Sequence, residues 1–218
     1  MNFYDGAMVP TADARSALLR ILATHSFRLG DFTLASGQKS DYYIDCRTTT
    51  LHAEGGRLAG VLLHELIRQH MPEAEAVGGL TMGADPLVSN IATASAQVVL
   101  DQGLHPSDAG IHLIHGFLVR KSEKAHGTGR RIEGFLSPGA PVVVVDDVCT
   151  TGGSTLQAMQ SARDAGMRVI GVLCLVDREQ GGRERIEAAA EGAPFLSLFT
   201  AEDVRNVHMD LHKTPGQA

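Results

Sequence analysis

Residues 142–155 read VVVVDDVCTTGGST, and no other segment constrains the chain as strongly. Val142 to Val145 show no alternation of apolar and polar residues, so they predict a strand covered on both faces, as in a parallel sheet. Two carboxylates, Asp146 and Asp147, follow where that strand is expected to end. A run of small residues extends from Thr150 to Thr155, and Leu156, Ala158, Met159, Ala162 and Ala165 then recur at helical spacing up to Gly166, a plausible stop. Backbone N–H groups of Thr151 to Thr155 can converge on a phosphate at that helix N-terminus, beside the hydroxyls of Thr150, Thr151, Ser154 and Thr155. Gly152 and Gly153 let the backbone come close. Adjacent carboxylates would repel the phosphate, but they suit the two neighbouring hydroxyls of a ribose, which donate hydrogen bonds to them. The loop has neither the Gly-Lys-Ser/Thr of a P-loop nor the GxGxxG of dinucleotide binders.

The string resembles the PRPP-binding motif of type I phosphoribosyltransferases. The rest of the chain predicts a matching α/β architecture. Residues 12–24 read as an amphipathic helix with Thr11 as its cap, 32–47 as two short strands around a Ser-Gly turn, and 53–70 as a long helix. A strand at Val77–Gly79 leads into GLTMGADP, then a helix over Leu87–Ala96 and a strand around Gln97–Leu100. Strands are expected at 111–119, Val169–Val176 and Pro194–Phe199, with a helix over 181–191. This alternation through residues 75–200 argues for a parallel sheet flanked by helices. Ligands then bind beyond the C-terminal strand ends, here Gly79–Gly83, Arg120, Asp146–Thr155 and Asp177-Arg178. Residues 1–50 do not fit the alternation and are expected to form a small hood over that edge. Residues 51–200 would be the core, and 201–218 a C-terminal helix and polar tail, all in one compact domain.

The 218 residues suffice for one substantial α/β domain with an appendage. A net charge of −6 argues against nucleic acid as a partner. Basic residues nevertheless cluster at Arg120, Lys121, Lys124, Arg130 and Arg131, which suggests a small anionic ligand. The three cysteines form no CxxC pair, so a reducing cytoplasm is the simple reading. No signal peptide is expected from MNFYDGAMVP, and no apolar stretch reaches membrane-spanning length. Of the ten histidines, His112 and His115 would lie on opposite faces of a strand. His208 and His212 could share a helix face near the polar tail, where solvation is the simpler expectation. No metal ligand is assigned.

Residues 120–134 carry no apolar anchor before Ile132, so a cationic lid that closes over a leaving group and excludes water is expected there. RKSEKAHGTG is similar to the RKxxKxHG loop of the orotate phosphoribosyltransferase family. FTLASGQKSDYYID resembles that family's N-terminal signature, and Asp177-Arg178-Glu179-Gln180-Gly181-Gly182 its DRxxGG segment. The resemblance spans residues 32–182. It implies a type I phosphoribosyltransferase fold and transfer of ribose 5-phosphate from PRPP to orotate, giving orotidine 5′-monophosphate and diphosphate in pyrimidine biosynthesis. It also implies Mg²⁺ as cofactor and a homodimer whose catalytic loop reaches the partner's site.

By position, the resemblance places Asp146 and Asp147 on the ribose hydroxyls. Thr150, Thr151, Gly152, Gly153, Ser154 and Thr155 would surround the 5′-phosphate, with Val148 and Cys149 in the same PRPP-binding string. Arg120, Lys121, Lys124 and His126 would face the diphosphate, Lys124 being the main catalytic group. Arg178 would meet the orotate carboxylate, with Tyr43 and Ile44 against the ring, Thr150 nearby, and Lys39 or backbone groups substituting for a lysine that many members carry where this chain has Ala35. The turn Leu80-Thr81-Met82-Gly83-Ala84 also lacks a lysine common in the family, so diphosphate binding there would rest on backbone amides. Two other classes compete. A purine phosphoribosyltransferase would lack a carboxylate-reading arginine, and a PRPP-sensing regulator would carry a degraded loop and a nucleic-acid face. Arg178, Lys124 and the acidic charge speak against both.

Overall fold

The computed structural model describes residues 11–33, 37, 39–121 and 131–213. In chain order its elements are α1 (Thr11–His25), β1 (Phe27–Thr33), β2 (Lys39–Ile44), α2 (Arg47–Thr50), α3 (Ala53–His70), β3 (Ala76–Leu80) and α4 (Asp85–Asp101). Then follow β4 (His115–Val119), β5 (Ile132–Gly134), β6 (Pro141–Cys149), α5 (Gly153–Asp164), β7 (Arg168–Asp177), α6 (Gly182–Ala189), β8 (Phe195–Thr200) and α7 (Ala201–Leu211).

Six strands form one sheet in the order β5-β4-β3-β6-β7-β8. All neighbours pair in parallel except β5, which runs antiparallel to β4 at the edge. After β3 the chain steps outward to β4 and β5, then returns to lay β6 on the other side of β3. The strand order therefore reverses between β3 and β6, and their carboxyl ends flank the crevice where such sheets bind ligands.

The valine run of β6 explains itself in this setting. Val143 and Val145 point into a cluster with Leu63 of α3 and Leu87 and Ile91 of α4. Val142 and Val144 point the other way, against Ala158, Met159 and Ala162 of α5. A strand buried on both faces needs no polar alternation. The strand runs on through Asp146 and Asp147 to Cys149, further than its apolar run suggested, because β7 continues the pairing to Cys149↔Asp177.

Three elements depart from expectation. The strand expected around Gln97–Leu100 is the last part of α4, where Ile91, Ala94, Ser95 and Val99 bury one face at helical spacing. The β-branched pair Val98-Val99 favours strands only where a sheet receives it, and none lies there. Residues 111–114 precede β4 as coil: the Ile114 N–H donates to the Ser95 hydroxyl at 2.9 Å, and pairing with β3 begins only at His115. His112 is thus off the strand. The segment read as loop over 120–134 contains the short strand β5, whose Ile132 packs into the core beside Phe117 and Val119.

The antiparallel hairpin β1–β2 stands apart from the main sheet. Its first strand begins at Phe27, earlier than the apolar pattern suggested, and Phe27 joins the same core cluster as Leu18 and Leu22 of α1. Asp41 on β2 pairs with Arg205 of α7 at 2.8 Å, which ties the hairpin to the C-terminal helix. His208 is not simply solvated. Its Nδ1 lies 2.8 Å from the Ala23 carbonyl and its ring 4.9 Å from that of Phe27. Among the described residues, no helix is long and apolar enough to cross a membrane.

His64 on α3 is 5% exposed, and burial, with a smaller effect of nearby Arg68, depresses its pKa to about 4. An unfolded histidine titrates near 6.5, so the unfolded chain binds more protons between the two values. Stability from this site is full above about pH 6.5 and is lost as pH falls toward 4. Urea unfolding at pH 7.5 and pH 5 should show His64→Gln losing less stability on acidification than the wild type, by roughly 1–2 kcal/mol. Equal losses would place the proton elsewhere.

Candidate active site

A cleft of about 890 Å³ opens at the carboxyl ends of β3, β4, β6 and β7, with the end of β2 along one wall. Asp146 is buried at its floor. Its Oδ2 accepts from the Thr155 hydroxyl at 2.7 Å and its Oδ1 from the Asp147 N–H at 3.1 Å. Burial, reinforced by the neighbouring Asp147 charge, pushes its pKa up to about 7. Asp147 is raised too, mainly by burial, although its Oδ1 accepts from the Val148 N–H at 3.0 Å. Among the described residues neither acid has a cation that offsets burial, and Arg47, which lowers the pKa of Asp147 slightly, is itself held by Asp45 at 2.8 Å. Such a pair is poised to receive hydroxyl donors or a cation. The turn beyond β3 leaves room for it. A Cβ on Gly83 would come within 2.4 Å of Asp147 Oδ1, so any other residue there would displace the Asp147 carboxylate. That turn carries a cis peptide bond between Thr81 and Met82.

The loop from Thr150 to Thr155 leads into α5, with Gly152 at its N-cap in the left-handed region, φ 74°. Thr150, Thr151 and Ser154 line the cleft. Thr155 does not. It is buried, and its hydroxyl is committed to Asp146. Cys149 is fully buried in the core, its N–H donating to Cys174 Sγ at 3.1 Å, so its side chain faces away from the cleft. The DRxxGG segment braces this loop from below. The Arg178 N–H donates to the Cys149 carbonyl at 2.9 Å, and a Cβ on Gly182 would sit 2.6 Å from the Thr150 carbonyl. Arg185 of α6 donates to the Thr151 carbonyl.

Arg178 lines the cleft, yet it is only 6% exposed and makes no ion pair among the described residues. Asp177 does not neutralise it, since its carboxylate accepts from Arg183 Nε at 3.1 Å and from the Glu179 N–H at 2.9 Å. The Arg178 guanidinium lies 4.5 Å over the ring of Tyr42 and donates to Ser40 Oγ at 3.2 Å, while its buried Nε has no acceptor among the described residues. Tyr43 and Ile44 line the cleft as well. Lys39 does not; its Nζ donates to Thr33 Oγ1 at 2.8 Å across the hairpin. At the other wall Arg120 lines the cleft and pairs with Glu133 across β4–β5 at 3.1 Å. Lys121 lines it too, and its carbonyl accepts from Gln157 of α5 at 3.1 Å. Lys124, His126 and Ala35 lie outside the described residues. Sequence reasoning missed Ser40, Tyr42, Glu133 and Arg185. Ser40 and Tyr42 share one face of a strand by its period of two, a signal that was available; nothing local marks Glu133 or Arg185.

The fold and this cleft agree with a family model of the phosphoribosyl transferase domain that matches residues 117–194, which gives the class: a phosphoribosyltransferase. Over 200 residues the chain is 44% identical to an orotate phosphoribosyltransferase of Synechocystis, covering 91% of this chain and 92% of the relative. It is 42% identical to the orotate phosphoribosyltransferase of Aquifex aeolicus, over 87% of this chain and 97% of that one. Among solved structures it is similar to Mycobacterium tuberculosis orotate phosphoribosyltransferase in complex with PRPP, with 34% identity, a TM-score of 0.67, and coverage of 88% of this chain and 99% of that one. The chain belongs to the orotate phosphoribosyltransferase family, glycosyltransferases of pyrimidine biosynthesis that transfer ribose 5-phosphate from PRPP to orotate.

Proposed function

We propose that PRPP and orotate meet in this cleft, PRPP across Asp146, Asp147 and the Thr150–Thr155 loop, and orotate between Arg178 and the end of β2. The observation that carries this reading is the buried guanidinium of Arg178. A cation withdrawn from water without a protein carboxylate is costly, and an anionic ligand in the cleft would offset that cost. Orotate offers a carboxylate, which adenine and hypoxanthine lack. The test is PRPP-dependent loss of orotate absorbance, with adenine, hypoxanthine and uracil as controls. Turnover of a purine in preference to orotate would reject the reading.

The orotate ring nitrogen attacks C1 of the ribose as diphosphate leaves. The acidic pair holds the ribose hydroxyls, and the loop N–H groups and the Thr150, Thr151 and Ser154 hydroxyls hold the 5′-phosphate. Arg120, Lys121, Lys124 and His126 face the charge that grows on the leaving group. No covalent nucleophile is needed, and the three described cysteines are buried free thiols, as suits a cytoplasmic enzyme.

Mg²⁺ fits the chemistry of the donors present, since Asp146 and Asp147 offer hard oxygens. No group of three or more His, Cys, Asp or Glu among the described residues could enclose an ion. Such an ion would therefore rest mainly on PRPP oxygens and water, with Asp147 alongside, and when bound it neutralises diphosphate charge.

The active unit in this reading is a homodimer with the loop bearing Lys124 acting in trans. In support, Leu51 and Met82 are 72% and 68% exposed and line one hollow beside the cleft, an apolar surface suited to a second copy. Lys124→Ala and Asp147→Asn proteins, each nearly inactive alone, should regain activity on mixing, because each mixed dimer holds one site with both parts intact. A mixture as inactive as its parents, with subunit exchange verified, would reject action in trans.

A further inference from the structure

We propose that Tyr42, assisted by Ser40, is a positioning residue that aims the Arg178 guanidinium and so sets the preference for orotate over uracil. The inference rests on the reading of Arg178 as the group that meets the orotate carboxylate. It adds a device, on another part of the chain, that gives this arginine one orientation.

An arginine side chain has several rotatable bonds, and burial alone does not select among its rotamers. Here two contacts restrain it. The guanidinium carbon lies 4.5 Å over the Tyr42 ring, within the range of a cation–π contact, and Nη2 donates to Ser40 Oγ at 3.2 Å. Ser40 is itself oriented. Its hydroxyl donates its one proton to the Tyr42 carbonyl at 2.7 Å and accepts from the Tyr42 N–H at 3.4 Å, which leaves one lone pair for Arg178. Ser40 and Tyr42 stand two apart on β2 and present one strand face to the arginine, whereas Tyr43 belongs to the other face.

The Tyr42 ring is fixed in turn. It stacks on Phe27 at 5.3 Å with 15° between the planes, and Phe27 is buried against His208 of α7 at 4.9 Å. On the same strand, Asp41 is held by Arg205 of α7. The ring that carries the guanidinium is thus anchored to β1 and α7, elements that do not line the cleft themselves. Fixing the plane of a guanidinium matters because its bidentate fit to a carboxylate depends on that plane.

The test compares Tyr42→Leu, Tyr42→Phe, Ser40→Ala and Arg178→Ala by steady-state kinetics with orotate and uracil. A contact that persists from ground state to transition state appears mainly in KM. Tyr42→Leu should raise the orotate KM about 10-fold and lower the orotate-to-uracil preference by a similar factor. Its kcat at saturating orotate and its KM for PRPP should stay within about 3-fold of wild type. Tyr42→Phe keeps the ring face and should stay within about 2-fold. In an Arg178→Ala background, Tyr42→Leu should add almost nothing. If Tyr42→Leu is poorly folded, Ser40→Ala decides, with a rise of about 3-fold in orotate KM expected from one lost acceptor. Unchanged orotate KM and preference in Tyr42→Leu, or in a Ser40→Ala that must stand in for it, overturn the positioning role when Arg178→Ala is impaired. Unchanged values in Arg178→Ala as well would instead bring down the carboxylate reading, and this inference with it.

Discussion

Arg178→Ala is expected to raise the orotate KM on the order of 10²-fold while the PRPP KM changes little. The size follows from where the guanidinium sits. An exposed arginine–carboxylate pair contributes only about 0–1 kcal/mol, because water competes for both partners. Arg178 is 6% exposed and has no ion-pair partner among the described residues, so an arriving carboxylate meets a cation already stripped of most of its water. Charge-assisted hydrogen bonds in such surroundings contribute roughly 1.5–3 kcal/mol. The bland alternative, in which Arg178 serves only as a surface partner of Asp177 or Glu179, fails on geometry. Asp177 is occupied by Arg183 at 3.1 Å, and among the described residues Arg178 makes no ion pair with Glu179. Uracil lacks the carboxylate, so its turnover should scarcely respond and the preference for orotate should shrink by the same factor. Kinetics with both substrates decides. A variant that keeps its orotate KM and its preference would show that another group reads the carboxylate.

The features that carried this reading differ in how local they are. The buried strand, the acidic pair and the small-residue loop are contiguous, and each residue type there answers a local demand, so VVVVDDVCTTGGST was legible on sight. The helix over 53–70 was equally plain, because an amphipathic helix writes its face into a few consecutive turns. The end of α4 was misread because Gln97–Leu100 is a β-prone tetrapeptide whose fate depends on whether a strand position lies nearby. Strand β5 escaped because three residues with one buried side chain leave too short a pattern. The partners of the site residues were the least legible. That Thr155 spends its hydroxyl on Asp146, that Cys149 turns into the core and that Lys39 bonds to Thr33 depend on which side of a turn faces the cleft, and spacing does not reveal this.

The acidic pair should show function bought at the expense of stability. Asp147→Asn is expected to cut turnover by about 10²-fold or more, yet to melt at a higher temperature than the wild type when no substrate is present. If Asp147 holds a ribose hydroxyl as proposed, the loss of turnover follows from losing that charged acceptor. The gain in stability follows from the direction of the pKa shifts. Burial first, and for Asp146 the neighbouring charge, raise both acids, Asp146 to about 7. In the unfolded chain an aspartate titrates near 3.9. A carboxyl whose folded pKa is raised favours the folded state fully at low pH and loses that contribution as pH climbs from about 4 toward 7. At pH 8 the empty cleft therefore carries the strain of two adjacent charges, Asp146 buried and Asp147 half-buried. Asparagine at position 147 removes one of them, and its oxygen can still accept from the Val148 N–H, the bond now 3.0 Å long. A gain of about 1–2 kcal/mol corresponds to a rise of roughly 2–8 °C in a chain of this size. The gain should fade as the pH is lowered from about 7 toward 4 and be gone below that, where both acids of the wild type are protonated in either state. PRPP with Mg²⁺ should reverse the ranking by binding the wild type more tightly. A variant that melts below the wild type at pH 8 and at pH 4 alike would show that the carboxylate supports the fold rather than straining it.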